Sequence, residues 1–84
     1  MDKNCDFGDA IRHIKNGGRI ARDGWNGKGM HVYLARDLQW TAGSFGNAHH
    51  GLPCLVMVTA TGDHQPGWLA SQADMLAEDW TLVP

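Results

Sequence analysis

Asp6-Phe7-Gly8-Asp9-Ala10-Ile11-Arg12-His13-Ile14-Lys15-Asn16-Gly17-Gly18 decides the fold. Phe7, Ala10, Ile11 and Ile14 recur at the i, i+3, i+4, i+7 spacing of a helix with one buried face. Asp6 stands where an N-cap accepts from the free N–H groups of the first turn. Asp9 sits where an acid meets the positive end of the helix dipole. Lys15 places the opposite charge near the far end, and Gly17-Gly18 supplies a left-handed stop. One amphipathic helix therefore opens the chain, and it needs a surface on which to bury its apolar face.

After Gly18 the chain reads mainly as strand. Arg19-Ile20-Ala21-Arg22 is short and bounded by turn residues. From Met30 to Leu34 the pattern alternates, with Met30, Val32 and Leu34 on one side and His31 and Tyr33 on the other. Residues 41–53 hold Thr, Ser, Asn, three glycines and a proline, which reads as a long exposed loop. Leu55 to Ala60 is a nearly continuous apolar and β-branched run, the best candidate for a central strand. Thr61-Gly62-Asp63 reads as a tight turn and Gln65 to Leu69 as a return strand. Ser71 caps a short helical turn over Gln72 to Ala77, and Trp80 to Val83 closes the chain as a last strand. The class is α+β: one N-terminal helix packed on an antiparallel sheet, with a short helical turn before the last strand. Residues 1–84 form a single domain.

A chain of 84 residues buries a modest fraction of its surface, so covalent staples, metals or oligomerisation usually supplement its core. Cys5 and Cys54 are the only two cysteines, and Cys5 lies near a mobile terminus. One disulfide at most is available, so self-association is the favoured remedy. The polar start carries no export signal, and the longest apolar run, Cys54 to Val58, is far too short for a membrane span. These features imply a cytoplasmic protein with reduced thiols.

The net charge of −2 argues against a general nucleic-acid binder. All seven lysines and arginines lie within residues 1–36 beside four acids, for a net of +3, whereas residues 37–84 carry five acids and no base. The first half could line an anion site. Equally, the two halves could neutralise each other within a chain or across an interface.

Catalytic patterns are absent from the sequence. Neither a Ser-His-Asp arrangement nor a spaced carboxylate pair emerges, and Glu78-Asp79 are neighbours whose side chains diverge. Gly24-Trp25-Asn26-Gly27-Lys28-Gly29 superficially resembles a phosphate loop, yet it lacks the Gly-Lys-Ser/Thr ending and runs into a strand. His13, His31, His49, His50 and His64 fall at no spacing typical of a metal site, so no metal or other cofactor is expected. The expectation is a binding protein, not an enzyme.

The four tryptophans are the strongest functional signal. Trp25 precedes the turn dipeptide Asn26-Gly27, and Trp68 comes just before the Ser71 cap. Both adjoin small or capping residues that let a ligand approach the backbone. A planar indole beside N–H donors suits a flat base carrying phosphate. Trp80 opens an apolar strand and belongs in the core, while Trp40 borders the long loop.

Two stretches carry a resemblance. The first is Arg22-Asp23-Gly24-Trp25-Asn26-Gly27-Lys28-Gly29-Met30, followed by Val32-Tyr33-Leu34. The second is Trp68-Leu69-Ala70-Ser71-Gln72-Ala73-Asp74-Met75-Leu76-Ala77-Glu78-Asp79-Trp80. With the Phe7-Gly8-Asp9-Ala10 helix start, the chain resembles the second Thoeris anti-defence family of phages and prophages, everywhere except residues 37–53. The resemblance implies a homo-oligomer, typically a tetramer, that holds a glycosylated cyclic ADP-ribose immune signal between protomers without cleaving it. Blocking bacterial anti-phage defence in the host cytosol follows from that. Some relatives also take up cyclic dinucleotides at a separate site. Carried over by motif, Trp25 and Trp68 are base-stacking candidates. Asn26, Ser71, Gln72 and Asp74 are hydrogen-bonding candidates, and Arg22 and Lys28 are the phosphate-binding cations. Leu76, Asp79 and Trp80 fall to packing and capping. The central segment from Trp40 to Pro53 departs from the family pattern, which leaves ligand selectivity open. The alternative is a protein–protein interaction module that blocks a host factor through the same aromatics.

Overall fold

The opening helix forms as α1, Phe7–Lys15. A computed structural model describes residues 2–25, 27–36, 39–41, 48–50 and 52–84. Asp6 Oδ1 accepts the Asp9 N–H at 2.8 Å, and Asp9 Oδ2 accepts the Asp6 N–H at 3.2 Å, so the acid pair closes a reciprocal capping box. At the other end Gly17 takes a φ of 94°, a left-handed conformation that glycine adopts without a Cβ penalty.

Eight strands accompany it among the described residues: β1 (Asp2–Cys5), β2 (Arg19–Arg22), β3 (His31–Ala35), β4 (Gln39–Thr41), β5 (Ala48–His50), β6 (Cys54–Val58), β7 (His64–Pro66) and β8 (Trp80–Val83). A second short helix, α2 (Gln72–Leu76), lies between β7 and β8. Six strands form an antiparallel sheet in the order β1-β8-β2-β3-β6-β7. The α+β architecture expected from the sequence is the one observed. No described helix is long and apolar enough to cross a membrane.

Pairing aligns Ile20 with Leu82 and with Val32, and Val32 with Met57. Paired residues in an antiparallel sheet point to the same side, so these side chains share the face that α1 covers. Ala10 and Ile14 of the helix meet Ile20, Val32, Met57 and Trp80 there in one buried cluster. Met30 and Leu34 pack against the same cluster, as their alternation with His31 and Tyr33 predicts. His31 and Tyr33 occupy the other face, where the Tyr33 hydroxyl lies 2.8 Å from His64 Nδ1.

Four expectations are corrected. The N-terminal residues are not a loose end: Asp2–Cys5 pair with β8, with Asn4 at a φ of 58° where the register shifts. The long loop of residues 41–53 contains strand, because Gln39–Thr41 pair with Ala48–His50 in a separate ribbon. Residues 42–47 and 51 of that loop lie outside the described residues. The return strand runs His64–Pro66 rather than Gln65 to Leu69. Pro66 cannot donate to a ladder, and Gly67 at a φ of 86° turns the chain away. Finally Leu76, assigned to packing, is 74% exposed at the end of α2.

Candidate functional site

Three tryptophans meet at one end of the sheet. Trp80 is fully buried, because β8 lies between β1 and β2 and its first residue sits beneath α1. Its indole Nε1–H donates to the Asp74 carbonyl at 3.0 Å, which satisfies the one polar atom of the ring. Phe7 lies against it with ring centres 5.6 Å apart. Trp25 comes in from the turn after β2, its ring 5.5 Å from Trp80 at 82°. Trp68 comes in from the turn after β7, 6.3 Å from Trp80 at 83°. Trp25 and Trp68 are themselves 6.3 Å apart at 72°. Such edge-to-face pairs contribute about 0.5–1.5 kcal/mol each beyond area burial.

Local chemistry sets both turns. Leu55 O accepts both the Gly67 N–H at 2.9 Å and the Trp68 N–H at 3.0 Å, so Trp68 is tied to β6. The Trp25 N–H donates to Arg22 O at 3.2 Å. Gly27 follows closely where space is short: a Cβ there would lie 2.7 Å from the Ala60 Cβ and would also strike the Met30 side chain.

An ion network backs this end of the sheet. Arg22 Nε donates to Asp79 Oδ1 at 2.9 Å, and Arg22 Nη1 donates to Asp74 Oδ1 at 2.9 Å. Asp79 Oδ2 accepts the Gly24 N–H at 3.0 Å. Asp74 Oδ2 accepts the Ser71 N–H at 2.9 Å, while Ser71 Oγ accepts the Asp74 N–H at 3.1 Å, a second reciprocal capping box. The Arg22 guanidinium holds the Asp79 carboxyl below the usual carboxylate range. Burial pushes the Asp74 carboxyl up, but the Ser71 N–H and Arg22 together outweigh it and leave it lowered. Asp79 and Asp74 in turn raise the Arg22 pKa.

The sequence-derived candidates are thus distributed unequally. Trp25, Trp68, Ser71, Asp74 and Arg22 converge at this end of the fold. Gln72 is exposed at the first position of α2, and Lys28 is exposed in the turn that also carries Trp25. Asn26 lies outside the described residues. Asp74 is buried, and its carboxylate oxygens are committed to Arg22 and Ser71. Asp79, which the sequence placed among capping residues, anchors Arg22 and Gly24 together. The split charge pattern held that signal, since Arg22 of the cationic half is paired with two acids of the anionic half.

A cleft of about 350 Å³ among the described residues lies elsewhere, on the sheet face opposite α1, bordered by Lys3, Arg19, Asp23, His31 and Thr81. Its polar groups are largely engaged: Arg19 donates to Pro84 O at 2.8 and 3.0 Å, and Thr81 Oγ1 donates to Asp23 at 3.1 Å. The tryptophan corner is the more persuasive site, because two half-buried rings and an exposed helix start converge there. Beside it, Leu69 and Leu76 are 86% and 74% exposed, and Met75 is exposed as well. No group of three His, Cys, Asp or Glu side chains among the described residues could hold a metal ion.

The chain matches the family described as the Thoeris anti-defense 2-like domain over residues 5–83. It is 32% identical, over an alignment of 95 residues, to the protein named Thoeris anti-defense 2 of Bacillus phage SP01. That alignment takes in 99% of each chain.

Proposed function

The chain belongs to the Thoeris anti-defense 2-like family, and from that premise we propose that it blocks Thoeris by sequestering its nucleotide signal. The ligand is a cyclic nucleotide of the glycosylated cyclic ADP-ribose type, held in the bacterial cytosol without being cleaved. The observation that carries this reading is the meeting of Trp25 and Trp68, half-buried and nearly perpendicular, beside the capped start of α2. A planar base stacked on one ring would turn its edge toward the other. Stacking of this kind is worth roughly 1–3 kcal/mol per base.

Around the rings, the exposed Gln72 and, by motif, Asn26 supply hydrogen bonds to ribose or base edges. The Ser71 hydroxyl accepts from Asp74 yet keeps its own proton to donate. Lys28 is the cation for phosphate. Sequestration requires a pocket organised before the ligand arrives, because ordering costs subtract directly from affinity. Rings locked on a buried Trp80 meet that requirement. A homo-oligomer, tetrameric on the family resemblance, completes the pocket, and the exposed Leu69, Met75 and Leu76 are the surface a second copy covers.

Those same exposed side chains favour one rival, a module that blocks a host protein directly. Loading the protein from a lysate of Thoeris-activated bacteria, then denaturing it for mass spectrometry, separates the readings. Sequestration predicts an intact cyclic ADP-ribose derivative. A hydrolysed product that grows with protein concentration would mean an enzyme, and a retained host protein without a small molecule would favour the rival.

A further inference from the structure

We propose that Arg22 is a positioning residue of the tryptophan site: clamped between Asp74 and Asp79, it fixes Trp25 relative to Trp68 and thereby sets ligand affinity without touching phosphate. The proposal rests on the binding reading above for the ligand, though not for the geometry.

Each carboxylate bridges the guanidinium to one of the two tryptophan-bearing segments. Asp79 takes Arg22 Nε on one oxygen and the Gly24 N–H on the other, and Gly24 directly precedes Trp25. Asp74 takes Arg22 Nη1 on one oxygen and the Ser71 N–H on the other, and Ser71 closes the turn that begins at Trp68. The backbone adds a further tie, since Arg22 O accepts the Trp25 N–H and Asp74 O accepts the Trp80 indole. The two turns are therefore joined through one planar group.

Charge argues against a phosphate contact at the same place. One guanidinium between two carboxylates leaves the cluster with a net negative charge, which repels an anion. The Arg22 side chain is also only 21% exposed, and two of its nitrogens are committed at 2.9 Å. Lysine cannot substitute, because an ammonium is a point charge without the fork that spans both carboxylates.

The test uses full-length Arg22→Lys, Asp79→Asn and the double variant, each first melted to fix a temperature at which it is folded. Closely packed indoles couple their ultraviolet transitions, so circular dichroism of the ligand-free protein reads the tryptophan geometry. Calorimetric titration with cyclic ADP-ribose reads affinity. Positioning predicts a weakened coupled band in both single variants and a roughly tenfold loss of affinity in each. The double variant should be no worse than the weaker single, since the residues act as a unit. A direct phosphate contact predicts the reverse for Asp79→Asn, which removes a negative charge and should bind at least as tightly as wild type. Unchanged coupling in folded single variants, or a lowered melting temperature with unaltered affinity, overturns the proposal. If wild type gives no heat with cyclic ADP-ribose, the ligand reading fails there, and the coupled band alone decides the role of Arg22.

Discussion

Replacing Trp80 tests the centre of the architecture. The ring is fully buried and contacts Phe7, Trp25 and Trp68. Truncating a buried tryptophan to alanine costs about 3–5 kcal/mol. The substitution also removes the donor to the Asp74 carbonyl. That carbonyl keeps a long bond from the Ala77 N–H at 3.4 Å, so the added penalty is about 1 kcal/mol, at the lower end of the range. The total of about 4–6 kcal/mol compares with a whole-domain stability of roughly 4–13 kcal/mol at this chain length. Trp80→Ala should therefore fail to fold or survive only marginally. Trp80→Phe keeps a ring but loses the N–H and part of the packing, at about 2–3 kcal/mol. In a domain of this size that lowers the melting temperature by roughly 10–20 °C. Thermal and urea melts followed by far-ultraviolet circular dichroism, at one fixed protein concentration, give both numbers. A Trp80→Phe melt within about 4 °C of wild type would refute the claim that the buried indole and its hydrogen bond organise this end of the sheet.

Trp25→Ala and Trp68→Ala should each lower the melting temperature, because both rings pack on Trp80, and each should weaken nucleotide binding by roughly tenfold. Titration at unchanged affinity would make them core residues only. Ser71→Ala removes the acceptor of the α2 capping box and should cost about 0.5–2 kcal/mol in urea unfolding. Gly27→Ala drives a Cβ against Ala60 and Met30, with an expected cost of about 1–3 kcal/mol. Asp74 and Asp79 have lowered pKa values. Their contribution to stability is complete above the unfolded carboxylate value of about 3.9 and is lost as pH falls through the lower folded values. Urea midpoints should thus drop on acidification below about pH 4, and less steeply in Arg22→Met, where the Arg22 share of the lowering is gone while the Ser71 and Gly24 N–H groups still favour the carboxylates.

How much of this was legible in the sequence depends on where each element gets its stabilisation. α1 and β8 were readable because side chains specify them: an amphipathic spacing with caps in one, Trp80-Thr81-Leu82-Val83 in the other. β1 was not, because Asp2-Lys3-Asn4-Cys5 has no apolar alternation and is held by the backbone of β8 at a sheet edge. The β4–β5 ribbon escaped because each strand is only three residues long and stands next to the Gly-, Ser-, Asn- and Pro-containing stretches of residues 41–53. The family was legible because its two motifs are local, and the match over residues 5–83 bears that resemblance out.

The site divides along the same line. Trp25 and Trp68 stood out through their neighbours, the Asn26-Gly27 turn and the Ser71 cap. Their meeting on Trp80 could not be read, because it depends on the sheet order that places β8 beside β2. The same long-range pairing brings Arg22 opposite Trp80 and within reach of Asp79, an ion contact that the local motif around Arg22 does not announce. On the proposed reading, folding and binding draw on the same residues. The ring that Trp25 would offer to a base is held by contacts that also stabilise the core, so its geometry is established before any ligand arrives. If the proposed sequestration holds, that coupling is an advantage, because the signal must be held below its effective concentration. The ordering cost falls on folding, where the buried Trp80 offsets it, and the binding step is spared.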